Sequence, residues 1–391
     1  MSKSNETTPN VPTLRFKQFQ DNWSSKRLSD IAEVVGGGTP DTTDSTLWNG
    51  GIQWFTPTEV GHSKYVSMSA RTISQIGLQK SSAKILPAGS ILLSSRATVG
   101  ECSITQKDCT TNQGFQNLIP KKGINNEFLY YLAQTQKRHF IKYASGSTFL
   151  EISNSEIKKT KCAVPSIEEQ TEIATFLSAI DRKIEVQNKI ISDLKVLKKE
   201  LCNKVFGKGS AVRLGDFIEE VTTRNKSNNC ENVLSVSNKM GFIKQSEQFE
   251  DRTVASENKS NYKVVTEGCF AYNPARINVG SIALLSTYKI GIISPMYVCF
   301  KTKSALDSEY LNFYYQSGFF YKELQKKLEG SVRQCLTYEN MSEILIPYVG
   351  IEKQKAIATA LNKFATLIAN EEKYLKSLQK QKSYFLSAMF I

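Results

Sequence analysis

The sequence predicts an α+β protein: two mixed α/β globular domains joined by two long antiparallel coiled-coil helices, the whole forming a pseudo-two-fold internal repeat. Three observations predict it. An apolar seam in alternating steps of four and three runs through Ile173, Leu177, Ile180, Ile184, Gln187, Ile191, Leu194, Lys198, Leu201 and Val205. A second seam runs through Ile357, Leu361, Phe364, Ile368, Glu371, Leu375, Leu378, Lys382, Phe385 and Met389, with its two polar interruptions at matching places. A 3.5-residue period kept over four or more heptads marks helices supercoiled on a partner, and the obvious partner of each stretch is the other. Third, the chain ahead of each seam also repeats, at a period of about 184 residues, which is a duplicated domain-plus-helix unit rather than a solenoid array.

Taken in order, the chain divides into a disordered tail over 1–20, a first globule over 21–163, a central helix over 164–207, a second globule over 208–346 and a C-terminal helix over 347–391. A length of 391 residues exceeds one ordinary core, which agrees with two or three domains. The first globule opens with Leu28-Ser-Asp30-Ile31 and a Gly-rich turn, Gly36-Gly37-Gly38-Thr39-Pro40. That turn lacks the Gly-Lys-Ser/Thr ending of a phosphate loop, and the polar run from Asp41 to Ser45 reads as irregular surface. From Gly51 to Pro120 short apolar runs alternate with Gly, Pro and Ser, the pattern of many short strands. Residues 126–143 read as a helix carrying Phe128, Leu129, Leu132 and Phe140. Ser166 with Glu169 three residues on, just after Pro165, has the spacing of a capping box and starts the first seam helix, which Gly207 and Gly209 stop.

The second copy follows the first. Leu28-x-Asp30 matches Leu214-x-Asp216, the stretch Gly89 to Gly100 matches Gly268 to Gly280 with Arg96 facing Arg276, and Gly146-Ser147 matches Gly330-Ser331. The run Ile167 to Leu177 matches Ile351 to Leu361 most closely. The helices agree tightly and the globules loosely. Each seam spans a rod of roughly 48 Å, and a pseudo-two-fold axis would set the rods antiparallel with the globules at opposite ends. The polar seam residues Gln187, Glu371, Lys198 and Lys382 either fix register or mark where the seam opens to a third helix.

A net charge of +13 points to nucleic acid or an anionic surface as a partner. Eight scattered cysteines without a C-x-x-C pair, and an N-terminus with neither signal peptide nor membrane span, read as reduced thiols in a cytoplasmic protein. Only two histidines occur, His62 and His139, neither with a repeat counterpart. Metal catalysis lacks ligands at the needed spacing, and no nucleophile elbow or Walker loop is present. Asn273-Pro274-Ala275-Arg276 departs at its last two positions from the motif with which adenine methyltransferases hold a target amino group, and no cofactor loop precedes it; it reads as a strand end with a turn. The sequence argues against catalysis in this chain.

Pro165-x-Ile-Glu-Glu-Gln-x-x-Ile-Ala174 with its second copy at 347–358, the two Leu-x-Asp starts, Gly37-Gly38-Thr39-Pro40 and Thr111-Asn-Gln-Gly-Phe115 occur in an order that covers almost the whole chain. In these the chain resembles the specificity subunits of type I restriction-modification systems. The second globule departs from the first: it has no Gly-Gly-Thr-Pro turn, and Ile293-Ser-Pro-Met-Tyr297 stands where Thr-Asn-Gln-Gly-Phe would be. The resemblance implies that each globule is a target recognition domain reading one half of a split, asymmetric sequence in double-stranded DNA, with the coiled coil setting the unread spacer. It implies two modification subunits, which use S-adenosylmethionine to methylate adenine, and two restriction subunits, motor nucleases that use ATP and Mg. No cofactor and no membrane contact is implied for this chain itself.

Base edges are read by Arg, Lys, Asn, Gln, Ser and Thr, while further basic groups position the phosphate backbone. The candidates are Arg71, Lys80, Arg96, Asn112, Gln113, Ser147 and Thr148 in the first globule, and Arg224, Lys226, Lys244, Arg276, Asn278, Ser331, Arg333 and Gln334 in the second. The duplicated pair Arg96 and Arg276 fits a structural or phosphate role, because a contact specifying different bases should differ between copies. The competing reading is a coiled-coil scaffold whose basic globules bind proteins or a membrane.

Overall fold

The computed structural model describes residues 11–146, 150–207, 209–238, 240–248, 258–328 and 334–391. Two long helices, α1 (Ile167–Phe206) and α2 (Ile351–Ala388), dominate it. The chain divides into two compact units, one of residues 1–187 with 374–391 and one of residues 188–373, so each unit takes part of both helices. In the first unit Ile173 and Leu177 of α1 share a core with Met389, Phe385 and Phe390 at the end of α2. In the second, Leu201, Cys202, Val205 and Phe206 of α1 share a core with Ile357, Ala358 and Leu361 at the start of α2. The start of each helix therefore meets the end of the other, and the pair is antiparallel. None of the twenty seam positions is exposed, as an inward 3.5-residue stripe requires.

Each globule begins and ends in one two-stranded antiparallel ribbon beside the root of its own helix. Ser24–Arg27 pairs with Lys161–Val164 just ahead of α1, and Ser210–Arg213 pairs with Leu345–Tyr348 just ahead of α2. In the first globule the strands Ala32–Gly36, Gln116–Pro120, Ile91–Leu93, Cys102–Thr105 and Tyr65–Val66 lie in that order in a five-stranded sheet. Arg71–Ile73, Trp48–Phe55 and Cys109–Thr111 form a three-stranded one. The second globule has two four-stranded sheets, Ile218–Glu220, Val298–Thr302, Cys269–Tyr272, Ile282–Leu284 and Gly241–Lys244, Val233–Ser237, Ile290–Ile293, Lys263–Thr266. The helix read over 126–143 is two, Asn126–Thr135 and Lys137–Tyr143, broken at Gln136, with Phe128, Leu129, Leu132 and Phe140 all buried.

One residue of the duplicated motif explains why the helix roots are nearly identical. Gln170, 1% exposed, donates through Nε2 to the carbonyls of Pro165 (3.0 Å) and Gly123 (3.3 Å) and accepts the Asn125 amide at 2.9 Å. Gln354, 0% exposed, donates to Val349 (2.7 Å) and Ala305 (3.1 Å) and accepts the Asp307 amide at 2.8 Å. Asn125 and Asp307 are in turn the N-caps of the short helices Asn126–Thr135 and Ser308–Tyr315. Each glutamine thus ties the first turn of a long helix to the loop that launches a core helix of its own globule.

Residues 11–20, read from the sequence as part of a tail, are instead a strap on the first unit. Arg15 makes a two-pronged ion pair with Glu169 at 2.7 Å, Leu14 donates its amide to the Ala388 carbonyl, and Phe16 packs edge-on against Phe176. The expected capping box is consequently half formed. Ser166 Oγ accepts the Glu169 amide at 3.4 Å, but the Glu169 carboxylate is taken by Arg15 rather than reaching back.

The seam lysines are used within their own units. Lys382 pairs with Asp181 at 2.6 Å over the Tyr131 ring, and the Tyr131 hydroxyl donates to the same carboxylate. Lys198 lies over the Phe313 ring and donates to Gln316 Oε1 at 3.4 Å. At both places the seam opens to the globule.

Candidate nucleic-acid interface

In the first globule the two motif turns that carry the sequence resemblance interlock. Gly38 donates its amide to the Thr111 carbonyl at 2.8 Å, and the Thr39 hydroxyl bonds to Gln113 Oε1. A Cβ on Gly37 would lie 1.9 Å from the Asn112 carbonyl oxygen, so only glycine lets the backbones approach this closely. Asn112 is spent locally, its Oδ1 accepting the Gly114 amide at 2.9 Å. Gln113 is exposed and held by Thr39 through its oxygen alone, leaving its amide nitrogen without a partner among the described residues, available to a base-edge acceptor. Sequence reasoning named Thr39 within the Gly-Gly-Thr-Pro turn but not among the contact candidates; its signal was its place between the glycines and a proline.

The turn carrying Arg96 joins this group. Ser95 donates its amide to Gly114 and its carbonyl accepts from Ile152, while Ala97, at φ +63°, donates to Leu150. Arg96 itself is half exposed, 3.8 Å from Glu151. Ser147 and Thr148 lie outside the described residues, in the segment that Gly146 and Leu150 bracket. Arg71 lies farther along the surface, its guanidinium stacked 3.5 Å over the Trp48 ring, and Trp48 donates Nε1–H to the Asp41 carbonyl. Lys80 is exposed and acts electrostatically on Asp44. The loop from Gly37 to Asp44 therefore links the Arg96–Gln113 group to the Arg71–Lys80 group. Trp48, the platform that holds Arg71, could not have been identified from spacing alone.

The second globule disperses its candidates. Arg276 and Asn278 are exposed on the turn after Cys269–Tyr272, where Asn273 Oδ1 accepts the Ala275 amide, the strand-end turn read from the sequence. Leu336 donates to the Pro274 carbonyl, bringing Gln334 to this turn, and Asn238 donates to the Val279 carbonyl at 2.9 Å. Ser331 and Arg333 lie outside the described residues. Arg224 and Lys244 sit at the two ends of one row across a sheet, through Lys244↔Leu234, Leu234↔Ile293, Ile293↔Lys263 and Lys263↔Arg224. Four strand spacings separate them, about 19 Å. Lys226 accompanies Arg224 on its loop. The second set is thus three groups rather than one.

In each globule the turn bearing the duplicated arginine is pinned by a backbone hydrogen bond to the segment just before the closing ribbon, Ile152 to Ser95 in one and Leu336 to Pro274 in the other. Basic and amide side chains on such braced loops suit contact with phosphates and base edges. Acid–base or nucleophilic chemistry has less to work with: burial pushes the thiols of Cys102, Cys162 and Cys299 up to about 12, which makes them inert. Among the described residues no group of three or more His, Cys, Asp or Glu could hold a metal, and no helix is long and apolar enough to cross a membrane.

Comparison with known proteins bears on this arrangement. The type I restriction enzyme MjaIX specificity subunit of Methanocaldococcus jannaschii is 40% identical over 188 residues, 47% of this chain and 44% of that protein. The chain thus spans less than half the length of that relative in the match. A putative MjaX specificity subunit from the same organism is 24% identical over 97% of this chain and 95% of its own length. The crystal structure of the type I restriction-modification S subunit from M. genitalium superposes with a TM-score of 0.60 at 14% identity, covering 97% of this chain and 99% of that one, which shows the fold. The family described as the type I restriction modification DNA specificity domain matches twice, at residues 20–196 and 210–380, each match a globule with the first part of its helix. The chain belongs to that DNA specificity domain family, and carries two copies of its domain.

Proposed function

We propose that this chain is the non-catalytic DNA-recognition subunit of a type I restriction-modification complex in the cytoplasm. Each globule reads one half of an asymmetric bipartite target, and the antiparallel helices hold the unread spacer at a fixed length. Two adenine methyltransferase subunits and two restriction subunits dock on the assembly and supply the chemistry.

The observation that carries the reading is a contrast between the copies. The helix roots repeat to the level of single hydrogen bonds, Gln170 and Gln354 each making the same three. The surface loops differ: the interlocked turns around Thr39 and Gln113 have no counterpart among the described residues of the second globule, where Arg276, Arg224 and Lys244 stand apart. A shared frame with unlike surfaces suits one set of partners and two different base sequences.

The test is an exchange. Replacing residues 1 to about 160 with those of a family member of different specificity, then mapping methylated adenines made with the modification subunits, should change one half of the methylated sequence. A change in both halves, or in neither, refutes the assignment. Binding of duplex DNA should also weaken steeply as salt rises, because counterions are released from each neutralised phosphate.

A further inference from the structure

Among the described residues, one surface of the second unit is without the cover that its counterpart has in the first. In the first unit the strap of residues 11–20 lies over the pair formed by the start of α1 and the end of α2. Phe16 packs on Phe176, Phe176 on Phe385 at 4.9 Å, and Arg15 buries Glu169 to 1% exposure. The same positions in the second unit are Ala360 for Phe176, Lys353 for Glu169 and Leu201 for Phe385. There the helices leave an apolar groove of about 330 Å3, lined by Leu201, Val205, Ile357, Ala360 and Leu361 with Lys353 beside them. Lys353 is exposed, with no carboxylate partner among the described residues.

Among the described residues no strap lies here, and the connectivity gives a topological reason. The first ribbon strand, Ser24–Arg27, follows the strap of residues 11–20, whereas its equivalent, Ser210–Arg213, follows α1 after only Gly207 to Gly209. Charge then decides what fits. A second copy's strap would bring Arg15 against Lys353, where the first unit places it against Glu169.

We propose that this groove is a docking site for an extended segment of another protein, carrying an aromatic side chain that fills the space over Ala360 and a carboxylate that pairs with Lys353. The proposal does not depend on the DNA-recognition reading. Its probe is a fluorescein-labelled peptide with the sequence of residues 11–20 and the change R15E, titrated against the full chain by fluorescence anisotropy. Saturable binding is expected. The peptide with Arg15 retained should bind roughly fivefold more weakly, as loss of a part-exposed ion pair implies. The peptide carrying R15E and F16A should lose at least about tenfold, the share of one buried phenyl ring. In the full-chain variant Lys353→Glu, checked for an unchanged melting temperature, the preference between the R15E and Arg15 peptides should reverse. No saturation by about 1 mM, or equal binding of the two peptides to both chains, would overturn the proposal.

Discussion

Replacing Gln354 with leucine tests the claim that a single amide fastens each long helix to its globule. The side chain is fully buried and makes three hydrogen bonds, to the carbonyls of Val349 at 2.7 Å and Ala305 at 3.1 Å and from the Asp307 amide at 2.8 Å. Leucine has similar volume, so packing changes little and the three backbone groups lose their partner. At a net 0.5–1.5 kcal/mol per hydrogen bond, and more where the orphaned group stays dry, the loss is about 3 kcal/mol. For a domain of 150–250 residues that lowers the melting temperature by roughly 6–12 °C. Urea unfolding followed by circular dichroism gives the free energy. Hydrogen exchange gives the location, since the Asp307 amide should exchange faster while amides in the first unit keep their protection. Gln354→Glu is the sharper variant: a carboxylate still accepts from Asp307 but cannot donate to two carbonyls, so it should be at least as destabilised at neutral pH. A loss below about 1 kcal/mol for the leucine variant, or a glutamate variant as stable as the parent, would refute the clamp.

Further perturbations bear on the turns, a half-buried carboxylate and the helix length. Gly37→Ala drives a methyl group into the Asn112 carbonyl, 1.9 Å from its Cβ, so it should break the interlocked turns and impair reading of the first half-site with the second unchanged, scored by methylation of matched and half-mutated duplexes. Burial pushes the Glu127 carboxyl up, but hydrogen bonds from Ser178, Tyr65 and Lys64 outweigh it and hold the group below the usual carboxylate range. Its stabilisation is therefore present above the ordinary pKa and lost as pH falls through the lowered one; thermal melts below about pH 4.3 should show a drop in the parent that Glu127→Gln lacks. Inserting four residues into α1, about 6 Å of helix, should lengthen the preferred spacer between methylated half-sites, and an unchanged spacer would mean the helices do not set it.

The parts of the fold legible in the sequence are those where one period or one residue type decides the outcome. The seam positions from Ile173 to Met389 are inward because a 3.5-residue stripe on two long helices has no other way to be buried. Gly207 ends α1 where it was expected to, and Phe128, Leu129 and Leu132 fall in the core of the helix their spacing predicts. What was illegible depends on partners distant in sequence. Nothing local reveals that residues 11–20 are a strap, because Arg15 finds Glu169 and Phe16 finds Phe176 only after α1 exists. The same holds for Arg71 on Trp48 and for Thr39 on Gln113, contacts made across strands and turns. The seam lysines mislead for a related reason: a heptad says that Lys198 and Lys382 face inward, but not that Phe313 and Tyr131 of the globules wait there.

The division between frame and surface follows from where the hydrogen bonds go. A recognition loop can change its side chains freely only if its backbone is held from outside the residues that vary. In the first globule that support comes from Gly38 to Thr111, Ser95 to Gly114 and Ile152 to Ser95, all backbone to backbone. An exposed side chain such as Gln113 can then be replaced at little cost in stability, whereas Gly37 and Gly38, whose missing Cβ atoms allow the close approach, cannot. Duplication followed by divergence would keep Gln170 and Gln354, on which each globule's attachment rests, and release the loops, the pattern found between the two copies.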